Sequence, residues 1–503
     1  VPWAQARGAR RAEEAFRVRI AAAQLQKNAF DWAQDWNGDE NLPGYIAVYS
    51  KGLPHNDLGE VDGYAYWLLL QALNSGSRSD LAAVPIGNPA VKFANPRSGL
   101  AFSMSGQDAQ GFTVSPAPTF DSAETAAEMV EAYWGALTRD VPFTDYAGNA
   151  TIASAIADLA TQSGYTGPRD ITPDSLFRMN LPGAMTGPWL SQFFWMPLAI
   201  GPYSSEQVVA IPAPGLDYVN NYAEWLAVQR GGAGGATAAS SNKRYISNAR
   251  DLTRSLQLDA PFGTLFMHET QAALNLNRLG LPRNPALPAW APNENAALLL
   301  GVHTLYDLIA RAGTHALDAV FWQKWQVHRR IRPETFSGRV DNHINGKAIY
   351  PINAALLNSQ ALAATFSKQG NYLLSQAWKG GCPFHPSYPS AHTVIAGAAI
   401  SMIKAFFKGD AVLLNPVQSN ADGSALVPYT GDPLTVEGEL NKMAMNIGIS
   451  RVQTGIHYRS DAVQSLYLGE KVAISMLAEL KSWFPDKFDG FKFRGFAGND
   501  IVV

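Results

Sequence analysis

The most informative segment of this chain reads SRVQTGIHYRSD, from Ser450 to Asp461. Two others accompany it, KWQVHRRIRP from Lys324 to Pro333 and HPSYPSAH from His385 to His392. Together they contain cations, histidines, a serine at a predicted helix start and a carboxylate. Guanidinium forks, a lysine ammonium and the first N–H groups of a helix are the donors that bind a tetrahedral oxyanion. The three segments therefore predict an oxyanion pocket.

The segment KWQVHRRIRP repeats a basic side chain every four residues, at Lys324, His328 and Arg332. On one continuous helix this spacing forms a slowly drifting stripe, and Pro333 then discourages continuation. We therefore expect Lys324 and Arg332 to face one pocket, and His328 to be structural or at the surface.

The segment SRVQTGIHYRSD places Arg451 and His457 six residues apart. On an unbroken helix they would point in different directions, but Gly455 between them permits a turn that lets both converge. Asp461 lies four residues after His457, so its carboxylate can sit one helical turn away and fix the tautomer of the imidazole.

Each segment alone has a more ordinary explanation. The cations could be solvated or ion-paired, Ser390 could only cap a helix, and His457 with Asp461 could be a surface pair. These explanations weaken when taken together, because all three segments occur in one chain and oxyanion chemistry requires all of them.

The segments together resemble the signature of the vanadium-dependent haloperoxidase and type-2 phosphatidic acid phosphatase superfamily. The matching elements are Lys324…Arg332-Pro333, Pro389-Ser390-Ala391-His392 and Ser450-Arg451…His457…Asp461. The resemblance is closest to the bromoperoxidases of red algae, cyanobacteria and related bacteria, and extends to Asn37–Asp62, Phe120–Phe143 and Gln323–Val340. It implies a mostly α fold of two packed four-helix bundles, with residues 1–293 and 294–503 as its halves and the site in the second. The two halves are expected to form one continuous globular unit.

The resemblance also implies roles for individual residues. His457 would bind vanadium, and the vanadate oxygens would be held by Lys324, Arg332, Ser390, Arg451 and the backbone N–H of Ala391. His392 would be the acid–base residue, and Lys324 would polarise the bound peroxide. His385 would be an outer proton donor or a halide-side residue that favours bromide and iodide over chloride, although it could equally be a satisfied loop histidine. Hydrogen peroxide would then oxidise the halide to a hypohalous acid equivalent that halogenates an organic acceptor.

Ala391 departs from the family pattern, which usually has glycine there. A left-handed backbone would cost alanine about 1 kcal/mol, whereas a position in the first helical turn accepts it. The helical position is favoured because the apolar run TVIAGAAISMI follows soon after. The added methyl group could still crowd the oxyanion or narrow halide access.

Two other functions remain open. The same pocket would suit a soluble acid phosphatase with a phospho-histidine intermediate at His457, because phosphate and vanadate are close analogues. A non-catalytic oxyanion-binding or shell-forming protein would leave the two histidines and the carboxylate unexplained. The haloperoxidase-like sequence outside the pocket, together with His385, favours the peroxidase.

Composition excludes several classes of protein. Of 503 residues, 47% are hydrophobic and 16% charged, with a formal net charge of −3, so no nucleic-acid partner is expected. The longest apolar helix candidate, Ala391–Phe407, is too short for a membrane span, so we expect a soluble protein. The low fraction of charged residues favours assembly into a homo-oligomer, a dimer or larger. A secreted or periplasmic location is open if a signal preceded Val1. The only cysteine, Cys382, excludes an intrachain disulfide.

Helical periodicity dominates the sequence. The predicted helices are Gln5–Trp36, Val61–Leu73, Ser122–Leu137, Glu294–Arg330, Pro351–Phe366, Ala391–Phe407, Glu437–Ile449 and Ser460–Leu480. Turn-rich stretches at Gly231–Asn242, Gly280–Asn293 and Gly409–Asp432 predict loops. In the last loop Asp410, Asp422 and Asp432 could bind a structural calcium ion, but the spacing is not that of an EF-hand and favours solvated turn residues.

Overall fold

Helices dominate the structure, as the periodicity predicts. The computed structural model describes residues 2–31, 33–232, 238, 241–257, 265–485 and 487–503. Within these ranges the α-helices are α1 (Pro2–Ala29), α2 (Gly63–Ser75), α3 (Arg78–Ala83), α4 (Ala123–Leu137), α5 (Ala150–Leu159), α6 (Tyr222–Gln229), α7 (Ala249–Gln257), α8 (Met267–Arg278), α9 (Val302–Trp322), α10 (Pro333–Ile344), α11 (Ala354–Leu357), α12 (Gln360–Gln369), α13 (Ala391–Phe406), α14 (Val436–Thr454) and α15 (Arg459–Leu480). The predicted mostly α fold is confirmed. The predicted loop Gly231–Asn242 lies largely outside the described residues.

The strands of the described residues form four separate antiparallel pairs. They are β1 (Leu198–Ile200) with β2 (Tyr203–Ser205), β3 (Val208–Ala210) with β4 (Lys243–Tyr245), β5 (Val417–Ser419) with β6 (Leu426–Pro428), and β7 (Lys492–Arg494) with β8 (Asp500–Val502). Because each strand has three residues, these pairs fasten loops and build no sheet large enough to form a layer.

The first helix is shorter than predicted. α1 ends at Ala29 and does not reach Trp36. Beyond it, the side chain of Asp31 accepts the backbone N–H of Ala33 at 3.1 Å. This local bond offers the backbone an alternative to the helix beyond Ala29.

The helix predicted from Glu294 begins later, at Val302. Leu300 has a left-handed backbone, with φ of 56°, which a right-handed helix cannot include. The prediction also ran the helix to Arg330, whereas α9 stops at Trp322. The apolar residues between 294 and 301 follow the helical period, but this segment forms turns and bends in the structure.

Two further helix boundaries differ from prediction. The segment Pro351–Phe366 forms two helices because Ser359 caps a new one by accepting the N–H of Leu362. The helix predicted to end at Ile449 continues to Thr454, which places Arg451 in its last turn.

Four long helices, α9, α13, α14 and α15, form the bundle that carries the three segments. α13 packs against the other three, and all of its residues except His392 are buried. α13 and α15 approach backbone to backbone, since a Cβ on Gly397 would lie 2.6 Å from the carbonyl oxygen of Leu466. This close approach fixes the first turn of α13 beside the first turn of α15.

α4 joins this bundle to the N-terminal half. It packs against α14 and also against α5, α11 and α12, and its residues from Thr125 to Ala136 are all buried. One cluster of buried apolar side chains has members on both sides of Glu294, the predicted boundary between the halves. The boundary itself stays a prediction. None of the described helices combines the length and the apolar character that crossing a bilayer requires.

Candidate active site

Lys324 and Arg332 reach one pocket by different routes. α9 continues into a π-helical turn, Gln323–His328, and Arg329 then has a left-handed backbone with φ of 38°. The predicted stripe on one continuous helix is therefore wrong, because the helix ends before Arg332. Both side chains nevertheless donate to the segment that begins at His385, Lys324 to the carbonyls of Pro386 and Ser387 and Arg332 to that of His385.

The Lys324 ammonium is fully buried and bound by backbone oxygens. Its Nζ donates to the carbonyl of Pro386 at 2.8 Å and to that of Ser387 at 2.7 Å. Burial and the nearby Arg332 lower the pKa of Lys324 well below its ordinary value. Because the carbonyl groups are neutral, they do not cancel a positive charge on Nζ, and an anion bound beside it would favour the protonated form.

Arg332 connects the three sequence segments. Its Nε donates to the carbonyl of His385 at 3.0 Å, and its Nη1 donates to the carbonyl of Ile456 at 2.7 Å. The same Nη1 donates to Nε2 of His457 at 3.0 Å, and Nη2 donates to Nδ1 of His385 at 2.9 Å. This fully buried guanidinium therefore lies against both histidine rings.

His457 presents a lone pair towards the cations. Since a guanidinium can only donate, Nε2 of His457 accepts from Arg332, and Nδ1 donates to Oδ2 of Asp461 at 2.8 Å. The predicted pairing with Asp461 is confirmed. Burial and Arg332 lower the pKa of His457 well below its ordinary value, although Asp461 opposes this. The ring is therefore neutral, with Nε2 free of a proton.

The predicted break at Gly455 is confirmed. Gly455 ends α14 with φ of 94°, so the chain turns between Arg451 and His457. Arg451 donates from Nη2 to the carbonyl of Leu256 at 3.3 Å, and its guanidinium lies 5.1 Å from the ring centre of Trp378. The turn brings the side chain of Arg451 to the same side of the bundle as His392, whose pKa it lowers.

Ser390 and Ala391 start α13, as predicted. The N–H of Ser390 donates to Oγ of Ser465 at 2.6 Å, and the Oγ of Ser390 accepts from the hydroxyl of Thr393 at 2.9 Å. Its side chain makes no capping bond to the backbone. Ala391 is the first helical residue and has no positive φ, so alanine fits there without strain.

His392 is the member of the set that retains some exposure. Its Nε2 has no hydrogen-bond partner among the described residues. Burial, together with the nearby Arg451 and His457, lowers the pKa of His392 well below its ordinary value. His392 is thus a neutral imidazole whose buried Nε2 has no partner among the described residues.

His385 is buried against Arg332. Its Nδ1 lies 2.9 Å from Nη2 of Arg332 and 3.1 Å from the carbonyl of Pro386, and accepting from the guanidinium leaves the proton on Nε2. The ring meets Phe321 edge-on, with centroids 5.4 Å apart. Burial, with Lys324 and Arg332 nearby, lowers the pKa of His385 well below its ordinary value, so it is neutral.

Known proteins identify the family. Residues 308–485 match the model of a protein family described as "VCPO second helical-bundle domain". A vanadium-dependent bromoperoxidase of Ascophyllum nodosum is 33% identical over 98% of this chain and 92% of its own length, and one of Corallina pilulifera is 31% identical over 98% of both chains. This chain belongs to the vanadium-dependent haloperoxidase family. The solved homohexameric structure of the second vanadate-dependent bromoperoxidase from Ascophyllum nodosum matches it with a TM-score of 0.91 at 28% identity, over 97% of this chain and 90% of that one.

Sequence reasoning missed part of this haloperoxidase's site. Ser387 donates from Oγ to Oδ2 of Asp461 at 2.5 Å, and Arg330 donates from Nη1 to Oδ1 of the same carboxylate at 2.9 Å. Both residues stand inside the quoted segments, so their positions were the available signal. Glu128, which accepts from Arg330, lies about two hundred residues away on α4 and gave no local signal.

The loop at residues 409–432 does not gather its aspartates into a metal site. Asp410 pairs with Lys408 at 3.5 Å and is largely exposed, and Asp422 accepts the N–H of Ser424 at 2.9 Å. No group of three or more His, Cys, Asp or Glu among the described residues has the arrangement to hold a metal ion. The calcium site that could involve Asp432 thus has no support.

Proposed function

We propose that this protein is a vanadate-dependent bromide peroxidase, which uses hydrogen peroxide to oxidise bromide or iodide and transfers the oxidised halogen to organic acceptors. The observation that best supports this proposal is the setting of His457. Its Nε2 lone pair points at the buried guanidinium of Arg332, and its Nδ1 is held by Asp461. A phosphatase would use the same nitrogen, but the full-length relatives are bromoperoxidases.

The donor set fits a vanadate ion. His457 would offer its neutral Nε2 as the metal ligand, in place of the hydrogen bond that this atom accepts from Arg332, and its carboxylate partner fixes the tautomer as in other metal sites. Lys324, Arg332 and Arg451 supply three positive charges for the oxygens. When bound, vanadate supplies Lewis acidity towards a peroxide without a change of oxidation state.

The start of α13 supplies further anion donors. The N–H of Ala391 belongs to the first turn of the helix, where amide hydrogens lack helical partners and the helix dipole favours negative charge. The Ser390 hydroxyl accepts from Thr393, so its own hydrogen is available to an oxyanion. These two groups complete the cradle that the cations begin.

His392 is placed to move protons. Its Nε2 has no partner among the described residues, and its depressed pKa makes it a neutral base that accepts a proton from an incoming peroxide. Lys324 then holds the developing negative charge on the side away from solvent.

We assign His385 to the halide side of the pocket. Its neutral ring accepts from Arg332 through Nδ1, so Nε2–H remains as a donor to a halide or a bound oxygen. His385→Phe would remove that donor while keeping a ring beside Phe321. We expect its kcat/KM for bromide to fall more than its kcat/KM for chloride, and an equal fall for both halides would contradict the assignment.

The decisive experiment is bromination by protein stripped of metal and reconstituted with orthovanadate. Activity should require vanadate, peroxide and bromide together, and should be lost in His457→Ala. His303→Ala, at an exposed histidine on α9, is the matched control and should retain activity. Phosphate-ester hydrolysis that vanadate inhibits, without bromination, would instead establish the phosphatase.

We also propose that the protein forms a homo-oligomer through α1. This helix has large apolar side chains in solvent, with Phe16 60% exposed, Ile20 56% and Leu25 46%. A cleft of about 790 Å³ separates it from the body near Trp483. The hexameric relative aligns with 97% of this chain, and the unaligned remainder is shorter than α1, so part of this helix has a counterpart there.

Light scattering after size-exclusion chromatography tests this assembly. The double variant Phe16→Asp, Ile20→Asp should shift the particle mass to a smaller species, and Gln24→Glu on the same helix should not. An unchanged mass in the double variant, or a monomeric wild type, would refute the role of α1.

A further inference from the structure

The carboxylate of Asp461 is held by two different sets of donors. Oδ2 accepts from Nδ1 of His457 at 2.8 Å, from the N–H of Tyr458 at 3.1 Å and from Ser387. Oδ1 accepts from Nη1 of Arg330 at 2.9 Å. Burial opposes ionisation, but Arg330 and His457 outweigh it and hold the pKa of this carboxyl well below its usual range. Asp461 is therefore charged, and Arg330 binds the oxygen that faces away from His457.

The guanidinium of Arg330 is itself held at both ends and covered on one face. Its Nη1 also donates to Oγ of Ser460 at 2.8 Å, and its Nη2 donates to Oε2 of Glu128 at 2.9 Å. The guanidinium lies 3.8 Å from the ring centre of Tyr458 and is 3% exposed. A planar fork with both ends bound and one face covered has little rotational freedom.

Glu128 anchors this fork from the N-terminal half of the chain. It lies in the buried face of α4, and its Oε1 accepts the N–H of Ser460 at 2.5 Å. One turn further along α4, Glu131 forms a similar buried pair with Arg459, with Oε2 at 2.8 Å from Nε. Arg459 donates to Glu131 and to the carbonyl of Arg178, whereas Arg330 binds Asp461 directly. The two glutamates thus hold the same segment, but one of them reaches the carboxylate.

We propose that Arg330 and Glu128 are positioning residues for His457, acting through Asp461. The chain Glu128, Arg330, Asp461, His457 fixes the plane of the carboxylate and therefore the direction of Nε2. A ring fixed in this way matches the single direction that a bond to vanadium demands, whereas an anion held only by cations tolerates rotation of the ring. This inference rests on the proposed vanadate-binding function of His457.

Binding of orthovanadate to the metal-free protein tests the proposal by isothermal titration, with inorganic phosphate as a second probe. Arg330→Met should weaken vanadate binding about 10-fold to 100-fold, the range for partners of metal-binding histidines. Arg330→Lys keeps the charge but not the fork, and should fall between wild type and Arg330→Met. Phosphate, which the cations hold without a metal–nitrogen bond, should lose less than about threefold by the same reasoning.

The matched control is Glu131→Gln against Glu128→Gln. Both remove a buried carboxylate charge from α4, so both should lower the thermal midpoint of the metal-free protein. Only Glu128→Gln should weaken vanadate binding beyond about threefold, since only Glu128 anchors the arginine that binds Asp461. Should Arg330→Met fail to fold, Glu128→Gln and Arg330→Lys still decide the question.

Three results distinguish the possible failures. Wild-type affinity for vanadate in Arg330→Met, or in both Glu128→Gln and Arg330→Lys, would overturn the positioning role. Equal losses for vanadate and phosphate, shared by Glu131→Gln, would show a purely structural role and overturn it as well. A wild-type protein that binds no vanadate would overturn the proposed function instead.

Discussion

The turn at Gly455 is the feature on which convergence of the site depends, and Gly455→Ala tests it. Gly455 has φ of 94°, and an added Cβ would lie 2.6 Å from Nε2 of Gln376 and 3.1 Å from the carbonyl of Ser375. That Nε2 cannot move away freely, because it donates to the carbonyls of Leu374 and Gly455, each at 3.0 Å, in a fully buried side chain. Two separate costs therefore apply to the variant.

The magnitude follows from those two costs. The left-handed backbone costs a non-glycine residue about 1–2 kcal/mol. Crowding a packed site adds about 1–3 kcal/mol, through displaced side chains or lost hydrogen bonds. The free energy of unfolding should therefore fall by about 2–5 kcal/mol. If the turn relaxes to relieve the clash, Arg451 and His457 also separate, and vanadate binding should weaken by about tenfold or more.

Gly370→Ala is the control that separates these costs. Gly370 ends α12 with φ of 75°, and an added Cβ would have nothing within 4 Å. It should lose only the backbone term, about 1–2 kcal/mol, and bind vanadate as the wild type does. The measurements are urea unfolding of the metal-free protein and titration with orthovanadate. Equal stability losses in the two variants, or wild-type vanadate affinity in Gly455→Ala, would refute the reasoning.

Three further predictions concern residues around the site. Burial and the neighbouring arginines lower the pKa of His328 to about 3. As the pH falls below about 6.5, the unfolded chain therefore binds a proton at this histidine that the folded chain does not, which lowers the free energy of unfolding by about 2 kcal/mol between pH 6.5 and pH 5. Urea unfolding of His328→Phe at both pH values should show a smaller decrease, and an unchanged decrease would contradict this. Lys51→Met leaves the fully buried Glu334, 2.9 Å from Nζ, without its cation, and should lower the free energy of unfolding by about 3–5 kcal/mol. Adding Glu334→Gln should recover part of this loss. If the effects of the two substitutions on the free energy of unfolding simply add in the double variant, the two side chains are not coupled and the prediction is wrong. Ala391→Gly should lower the free energy of unfolding by no more than about 1 kcal/mol, because the position is helical; a gain in stability would indicate strain at Ala391.

Local signals predicted the parts of the site that depend on local structure. A glycine between Arg451 and His457 indicated the turn, and the spacing of His457 and Asp461 indicated their hydrogen bond. The apolar run after Ala391 indicated that alanine begins a helix there. In each case the sequence distance is shorter than about two helical turns, so backbone geometry alone decides the outcome.

The parts that sequence reasoning missed depend on distant contacts. The spacing of Lys324 and Arg332 favoured one helix, but the chain leaves it through a π-helical turn at Gln323–His328 and a left-handed Arg329. The amino acids in this segment do not by themselves predict such a break. Arg329 is held there by Glu40, with Nη2 at 2.6 Å from Oε2. That partner lies almost three hundred residues earlier, so the tertiary contact overrides the local preference.

The way the pocket holds its cations explains why it suits an anion. Lys324 donates to two backbone carbonyls, and Arg332 donates to two more and to imidazole nitrogens. Dipolar acceptors of this kind fix the direction of a cation without cancelling its charge. The carboxylates are one layer further out, where Asp461 binds Arg330 and Glu334 binds Lys51. Had these carboxylates paired with the inner cations, an oxyanion would have to break ion pairs to enter. The separation of the two layers therefore leaves positive charge in fixed positions for the incoming ion to neutralise.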